Sequence, residues 1–113
     1  MKETIGFEDF LKIDIRVGTI ISAIVNEKAK KAAYVLEIDF GNKIGLKTSS
    51  AQITENYDLE ELVGMQILAV VNFVAKRVAG VKSEVLVLAV VDDANGTTLL
   101  RVDGKVENGM SVL

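Results

Sequence analysis

A small all-β barrel or sandwich is the fold this chain predicts, on three observations. Stretches rich in Ile and Val, or alternating apolar with polar residues, recur along its 113 residues. Nine glycines and no proline punctuate them. An Asn95-Gly96 pair between two such stretches is a strong hairpin signal. With 50% apolar residues the chain can fill one core, and no linker, repeat or low-complexity segment divides it, so residues 1–113 read as a single domain.

The elements follow in order. Phe7, Phe10 and Leu11 share a face at helical spacing and predict a short N-terminal helix. Residues 15–25 read as a strand. Over 34–40 the alternation is clean, with Tyr34, Leu36, Ile38 and Phe40 inward and Val35, Glu37 and Asp39 outward. Ile44, Leu46 and Thr48 resume it after Gly41-Asn42. A three-residue loop that sets Phe40 opposite Ile44 and Glu37 opposite Lys47 keeps the lysine off the core face. Ser49 and Gln52 have the spacing of a capping box and predict a helical turn. Asp58 and Glu61 predict a second turn, closed by Gly64. Strands resume over 65–73, 84–91 and 97–102.

Two of those strands, 65–73 and 84–91, are apolar on both faces. A lone small barrel fills its interior with one face and leaves the other to water. Either these strands are central in a sandwich or a second subunit covers them; a homodimer is the expectation, with Phe7, Phe10, Leu11, Leu68, Val70, Val85 and Val87 at its interface.

The composition removes whole classes of chemistry. There is no histidine and no cysteine, so thiolate and imidazole metal sites and histidine-activated nucleophiles are excluded. Ser49-Ser50 has no base to activate it. Asp92-Asp93 and Glu60-Glu61 have no further oxygen ligands at useful spacing, so neither a metal site nor a cofactor is expected. No phosphate-binding glycine loop occurs. The chain reads as a binding protein, not an enzyme. Acids occupy the N-terminus where a signal peptide needs an apolar segment, and the longest apolar run, 85–91, is too short for a membrane span. A cytoplasmic protein without membrane insertion is expected.

Net charge is −3, but its sign is unevenly spread. One basic island holds Arg16, Lys28, Lys30 and Lys31, and a second holds Lys76, Arg77 and Lys82 with no acid between them. Such local surpluses can attract a phosphate backbone within an acidic chain. Lys47 is expected to be partly engaged by Glu37 across its hairpin. The stretch 72–85 is the most specific in the sequence: a basic loop and a glycine hinge, flanked by Asn72, Ser83 and Glu84. The basic groups suit phosphates, and the three polar side chains suit base edges or ribose, although Ser83 and Glu84 also suit the capping of a strand. Stacking aromatics are few, since Tyr34 and Phe73 alternate as core residues and leave Tyr57.

Three motifs in order carry a resemblance: Asp14-Ile15-Arg16-Val17-Gly18, Lys47 with Ser49-Ser50-Ala51-Gln52-Ile53-Thr54, and Asn72-Phe73 through Lys76-Arg77, Ala79-Gly80 and Lys82-Ser83-Glu84-Val85. Over essentially the whole chain the sequence resembles the CsaA family of stand-alone tRNA-binding domains, similar to the module at the C-terminus of many bacterial methionyl-tRNA synthetases. The resemblance implies a five-stranded OB-fold barrel with short helical inserts, homodimeric, that binds tRNA. It also implies a second role as an export-related chaperone for unfolded or precursor polypeptides. Lys76-Arg77 and Ser83-Glu84 take the positions expected to line the nucleic-acid face. One departure is Val74-Ala75 where the family usually has prolines, so the loop that bears Lys76 and Arg77 is expected to be less rigid.

Overall fold

The computed structural model describes residues 1–113, and its organising element is β1 (Ile15–Val25). This strand is long enough to pair twice. Its first half lies antiparallel to β4 (Gln66–Val70), and its second half to β2 (Tyr34–Asp39), with a bulge between Ile20 and Ser22. The bulge bends the strand so that one ribbon serves two parts of the wall. β3 (Leu46–Ala51) pairs β2, and β7 (Leu86–Val87) pairs β4, giving a five-stranded antiparallel sheet of order β3-β2-β1-β4-β7 that curls into a nearly closed, OB-like barrel. Two hairpins stand off it: β5 (Lys76–Val78) with β6 (Val81–Ser83), and β8 (Ala89–Asp92) with β9 (Gly96–Leu99).

The core follows from alternation. Leu36, Ile38 and Phe40 form one cluster with Ile20 of β1 and with Ile67 and Ala69 of β4, all essentially sealed from solvent. α2 (Leu59–Leu62) closes one end with the fully buried Leu62. Its start is the expected capping box, in which the Asp58 N–H donates to Glu61 Oε1 at 2.6 Å. Gly64, at φ +94°, ends it and donates its N–H to the Ile20 carbonyl at 2.7 Å. α1 (Phe7–Phe10) is present as expected and buries none of its residues; Phe7 and Phe10 stack on each other at 6.1 Å. No helix is long and apolar enough to cross a membrane.

Four expectations are corrected. First, the β2–β3 loop is one residue longer than read, with Glu37 opposite Thr48 and Ile38 opposite Lys47. The Phe40 N–H donates to the Gly45 carbonyl at 3.0 Å and the Gly45 N–H to the Gly41 carbonyl at 2.7 Å, which closes a wider loop. Lys47 thus shares the face of Ile38, at the barrel rim, and its ammonium lies 3.8 Å from Glu84, not against Glu37. Second, Ser49 caps no helix. It is a buried strand residue opposite Leu36, because the ladder continues to Ala51.

Third, the basic stretch is not a loop but the β5–β6 hairpin. Ala79 and Gly80 have φ of +47° and +82° and form its two-residue turn. Fourth, Val70 and Val85 are buried within the chain at 4% and 5% exposure and cannot line an outer surface. The strand expected over 84–91 is broken between β7 and β8, and its outward row is Leu86 and Val90, while Val87 packs against the core. Leu68 stays half-buried, and Phe7 and Leu11 stand exposed, as an outer apolar surface requires.

Candidate nucleic-acid interface

Two side-chain hydrogen bonds and one backbone bond attach the β5–β6 arm to the barrel. Thr48 and Ser50 lie on the edge of β3. The Thr48 N–H donates to Glu84 Oε1 at 3.1 Å, and the Ser50 N–H donates to Ser83 Oγ at 3.1 Å. The Glu84 N–H returns a bond to the Thr48 carbonyl at 2.7 Å. Ser83 and Glu84 therefore fix the arm to β3, and their acceptor oxygens are engaged within the chain. Asn72 is similarly occupied: Oδ1 accepts from the Asp14 N–H at 2.9 Å and Nδ2 donates to the Lys12 carbonyl at 2.8 Å. It pins the segment before β1 to the end of β4.

The register of the arm sorts its charges. Lys76 shares a face with Val78, Val81 and Ser83, toward the barrel, while Arg77 and Lys82 are direct cross-strand partners on the other face. Lys76, Arg77 and Lys82 are all exposed. Like charges directly opposite each other destabilise a two-stranded ribbon; Arg77 Nη1 donates to the Gly80 carbonyl of the turn at 3.2 Å.

The tip of the arm reaches the loop between β1 and β2. A Cβ placed on Gly80 would lie 3.1 Å from Lys28 Cδ and 3.6 Å from its Nζ, so the Lys28 stem runs along the turn. The two basic islands that lie far apart in sequence thus meet through Lys28, and Lys30 is exposed on the same loop. Lys31 points elsewhere, into a cleft shared with Glu55, Asp92 and Asp93. Hydrogen bonds from the Asn95 side chain and from the Ala94 and Asn95 N–H groups hold the Asp92 carboxyl below its ordinary range, so Lys31 has a firmly ionised neighbour.

Arg16 also stands apart. It lies at the far end of β1, with Nε 2.6 Å from Asp14 Oδ1 and Nη1 2.9 Å from the Gly109 carbonyl. The hydrogen bond to Asp14, supported by its charge and opposed by partial burial, raises the guanidinium pKa further above its ordinary value. Arg16 ties the C-terminal segment to β1, where the Gly109 N–H donates to the Val17 carbonyl at 2.7 Å and the Val112 N–H to the Ile15 carbonyl at 2.9 Å.

Two aromatics differ from their reading in the sequence. Tyr34 is core, as expected, and donates its hydroxyl to the Tyr57 carbonyl at 2.8 Å. The Tyr57 hydroxyl accepts from the Leu99 N–H at 2.9 Å, so Tyr57 is also structural. Phe73, however, is 56% exposed three residues before Lys76. The signal was Asn72: pairing of β4 stops at Val70, and a polar residue next to Phe73 marks the end of the inward–outward alternation.

The chain is 36% identical over 111 residues to the methionine–tRNA ligase of Methanococcoides burtonii, covering 98% of this chain and 16% of that protein. It spans similarly small shares of the other curated ligases it matches, 13% in the case of Porphyromonas gingivalis. Among solved structures it superposes on the chaperone CsaA of Bacillus anthracis with a TM-score of 0.92 at 50% identity, covering 98% of this chain and all of that one. The CsaA chaperone protein of Picrophilus torridus gives 0.91 at 48% identity, over 97% of this chain and 100% of that one. Residues 15–111 match the model of the family described as "Putative tRNA binding domain", and the chain belongs to that family.

Proposed function

We propose that residues 1–113 act as one non-catalytic module that binds tRNA through the β5–β6 arm and the Lys28–Lys30 loop, in the cytoplasm and as a homodimer. The carrying observation is the cross-strand Arg77–Lys82 pair on an exposed arm, joined at its tip by Lys28. Five exposed cations, Lys28, Lys30, Lys76, Arg77 and Lys82, supply phosphate contacts, and Phe73 beside them offers a ring for stacking. The relatives named as methionine–tRNA ligases support a tRNA partner. In a filter-binding titration at low salt, saturable binding of tRNA is expected; no binding would overturn the reading.

The dimer rests on surface. The accessible area is 7769 Å², whereas a folded monomer of 12.2 kDa exposes about 6,100 Å². The excess exceeds the roughly 800 Å² that each partner contributes to a standard interface, even after the projecting arm and termini take a share. Leu86, Phe7 of α1 and Leu11 just after it are more than half exposed, and each is apolar. Sedimentation at micromolar concentration should give twice the 12.2 kDa chain mass; a monomer mass would remove the dimer.

A second role, as a chaperone that holds apolar segments of unfolded or precursor polypeptides, is favoured by the same exposed apolar residues and by the structural neighbours named chaperones. The protein is then expected to suppress aggregation of a denatured client at near-stoichiometric ratio. Suppression no better than that given by an inert protein of similar size would remove this role and leave RNA binding untouched.

A further inference from the structure

One strand position in the barrel wall is filled by a short strip of the chain that side chains hold only at its start. β4 covers one edge of β1 over 15–19, whereas β2 covers the other edge only from Thr19 onward. Residues 109–112 fill the gap as an antiparallel strip, with Arg16 opposite Ser111. The Val17 N–H donates to the Met110 carbonyl at 3.0 Å, and the Val112 N–H donates to the Ile15 carbonyl at 2.9 Å. We infer that this lane also takes an extended polypeptide from another molecule, added as a strand in place of 110–113, an inference that deepens the chaperone reading above.

The strip is anchored at its start and loose beyond it. Asn108 Oδ1 accepts from Thr19 Oγ1 at 2.7 Å and from Gln66 Nε2 at 3.1 Å, and the Gly109 carbonyl accepts from Arg16 Nη1 at 2.9 Å. Gly109 fits so closely that a Cβ would lie 2.5 Å from the Phe40 carbonyl oxygen, and its φ of +92° turns the chain as only glycine does easily. Past this hinge the strip is tied to β1 by its main chain alone. Met110 is 54% exposed and Leu113 89%, so side-chain burial adds little to the hold. Main-chain bonds are indifferent to sequence, and another extended segment can make the same ones. The lane needs some occupant, since Val17 is 3% exposed and its N–H must find an acceptor. Donor and acceptor alternate along it, as along a polypeptide backbone, whereas successive phosphates of a nucleic acid present acceptors to the Ile15 carbonyl. Beside the strip lies a cleft of about 400 Å³ whose apolar lining includes Phe10 and the exposed Ile13. An added strand can turn alternate apolar side chains into that cleft.

The chain has no cysteine, so Arg16→Cys with Ser111→Cys introduces one possible disulfide within the chain. The flanking bonds make 16 and 111 a non-hydrogen-bonded pair, the closer kind in an antiparallel ladder, which suits such a bridge. Oxidation locks the strip in the lane, and reduction frees it in the same protein. The probe is a fluorescent peptide that alternates valine with lysine, together with two copies N-methylated at every valine or at every lysine, which blocks one edge or the other. Parent and reduced variant are expected to bind the unmethylated peptide, and the oxidised variant to bind it about tenfold or more weakly. On the parent, one methylated copy should lose about tenfold and the other should keep its affinity. Equal binding by oxidised and reduced forms overturns the lane, and so does absence of peptide binding by the parent. Equal binding of the two methylated copies also overturns it, and this comparison needs no variant, so it decides alone if the cysteine pair does not fold. A disulfide-linked dimer of the variant would give the lane to a second copy and overturn it as well. Aggregation of a denatured client separates this inference from the chaperone reading. Suppression that oxidation leaves unimpaired removes the lane and keeps the chaperone role; peptide binding as expected with no suppression by the parent supports the lane and removes that role.

Discussion

Gly18→Val is expected to destabilise the fold by about 3 kcal/mol, at the upper end of the cost of overpacking a core, and to lower the melting temperature by roughly 15 °C. Gly18 lies in β1 with ordinary backbone angles, so the reason is space and not conformation. A Cβ there would sit 2.6 Å from Ile38 Cγ2 and 2.7 Å from the Phe40 ring, and both of those side chains are sealed in the core. Neither can withdraw without shifting the β2 ladder. Gly18→Ala meets the same atoms with one carbon and gains back part of the cost, about 0.5–1 kcal/mol, from a less flexible unfolded chain; it should fall between parent and Val. Pairing Gly18→Ala with Phe40→Leu, which vacates ring volume, should recover part of the loss. Urea midpoints measure all four proteins. A Val variant with the parental midpoint would show that β1 and β2 pack less closely than described.

The second large effect is at Glu84. Glu84→Ala leaves the Thr48 N–H without an acceptor at a half-buried seam and releases Lys47. The expected loss is about 1–2 kcal/mol of stability and about tenfold in tRNA affinity, because the arm is no longer held in place before binding. Two interactions end at this carboxylate, and magnitude decides between them. The ion pair to Lys47 is long, at 3.8 Å, and partly exposed, which makes it worth well under 1 kcal/mol. The hydrogen bond is therefore the main contribution. Glu84→Gln, which keeps an amide oxygen for Thr48, should stay close to the parent in urea midpoint and in affinity. If Ala and Gln are equally impaired, the carboxylate charge matters and Glu84 is not chiefly a positioning residue.

The strand content, the Asp58 capping box and the Asn95-Gly96 hairpin were legible because each depends on residues adjacent in the chain. The β2–β3 register was not. The rule that keeps lysine off a core face fails where a strand reaches the barrel rim, and there Lys47 finds Glu84 thirty-seven residues away. The same distance effect governs the candidate site. Lys76, Arg77 and Lys82 were visible as a basic run, but their sorting onto two faces depends on the hairpin register. That Asn72, Ser83 and Glu84 also bond to a β3 edge and to the segment before β1 was not legible, because those partners are 33–60 residues away. Arg16 looked like part of a basic island, and Asp14, two residues away, holds it. The missing prolines at Val74-Ala75 suggested a loose loop. Beyond them the chain pairs as the β5–β6 hairpin and bonds to β3 at its base.

The central claim is that the arm supplies the phosphate contacts, and salt-dependent binding tests it most directly. For the parent, log affinity for tRNA should fall against log salt with a slope between about −2 and −4, corresponding to some three to five neutralised phosphates. Replacing Lys76 and Arg77 together by Ala alters two exposed side chains of the arm. It should flatten that slope by about 1.5 with the urea midpoint unchanged. A double variant that keeps both the parental affinity and the parental slope at every salt concentration would contradict the account and place the phosphate-binding surface elsewhere on the barrel.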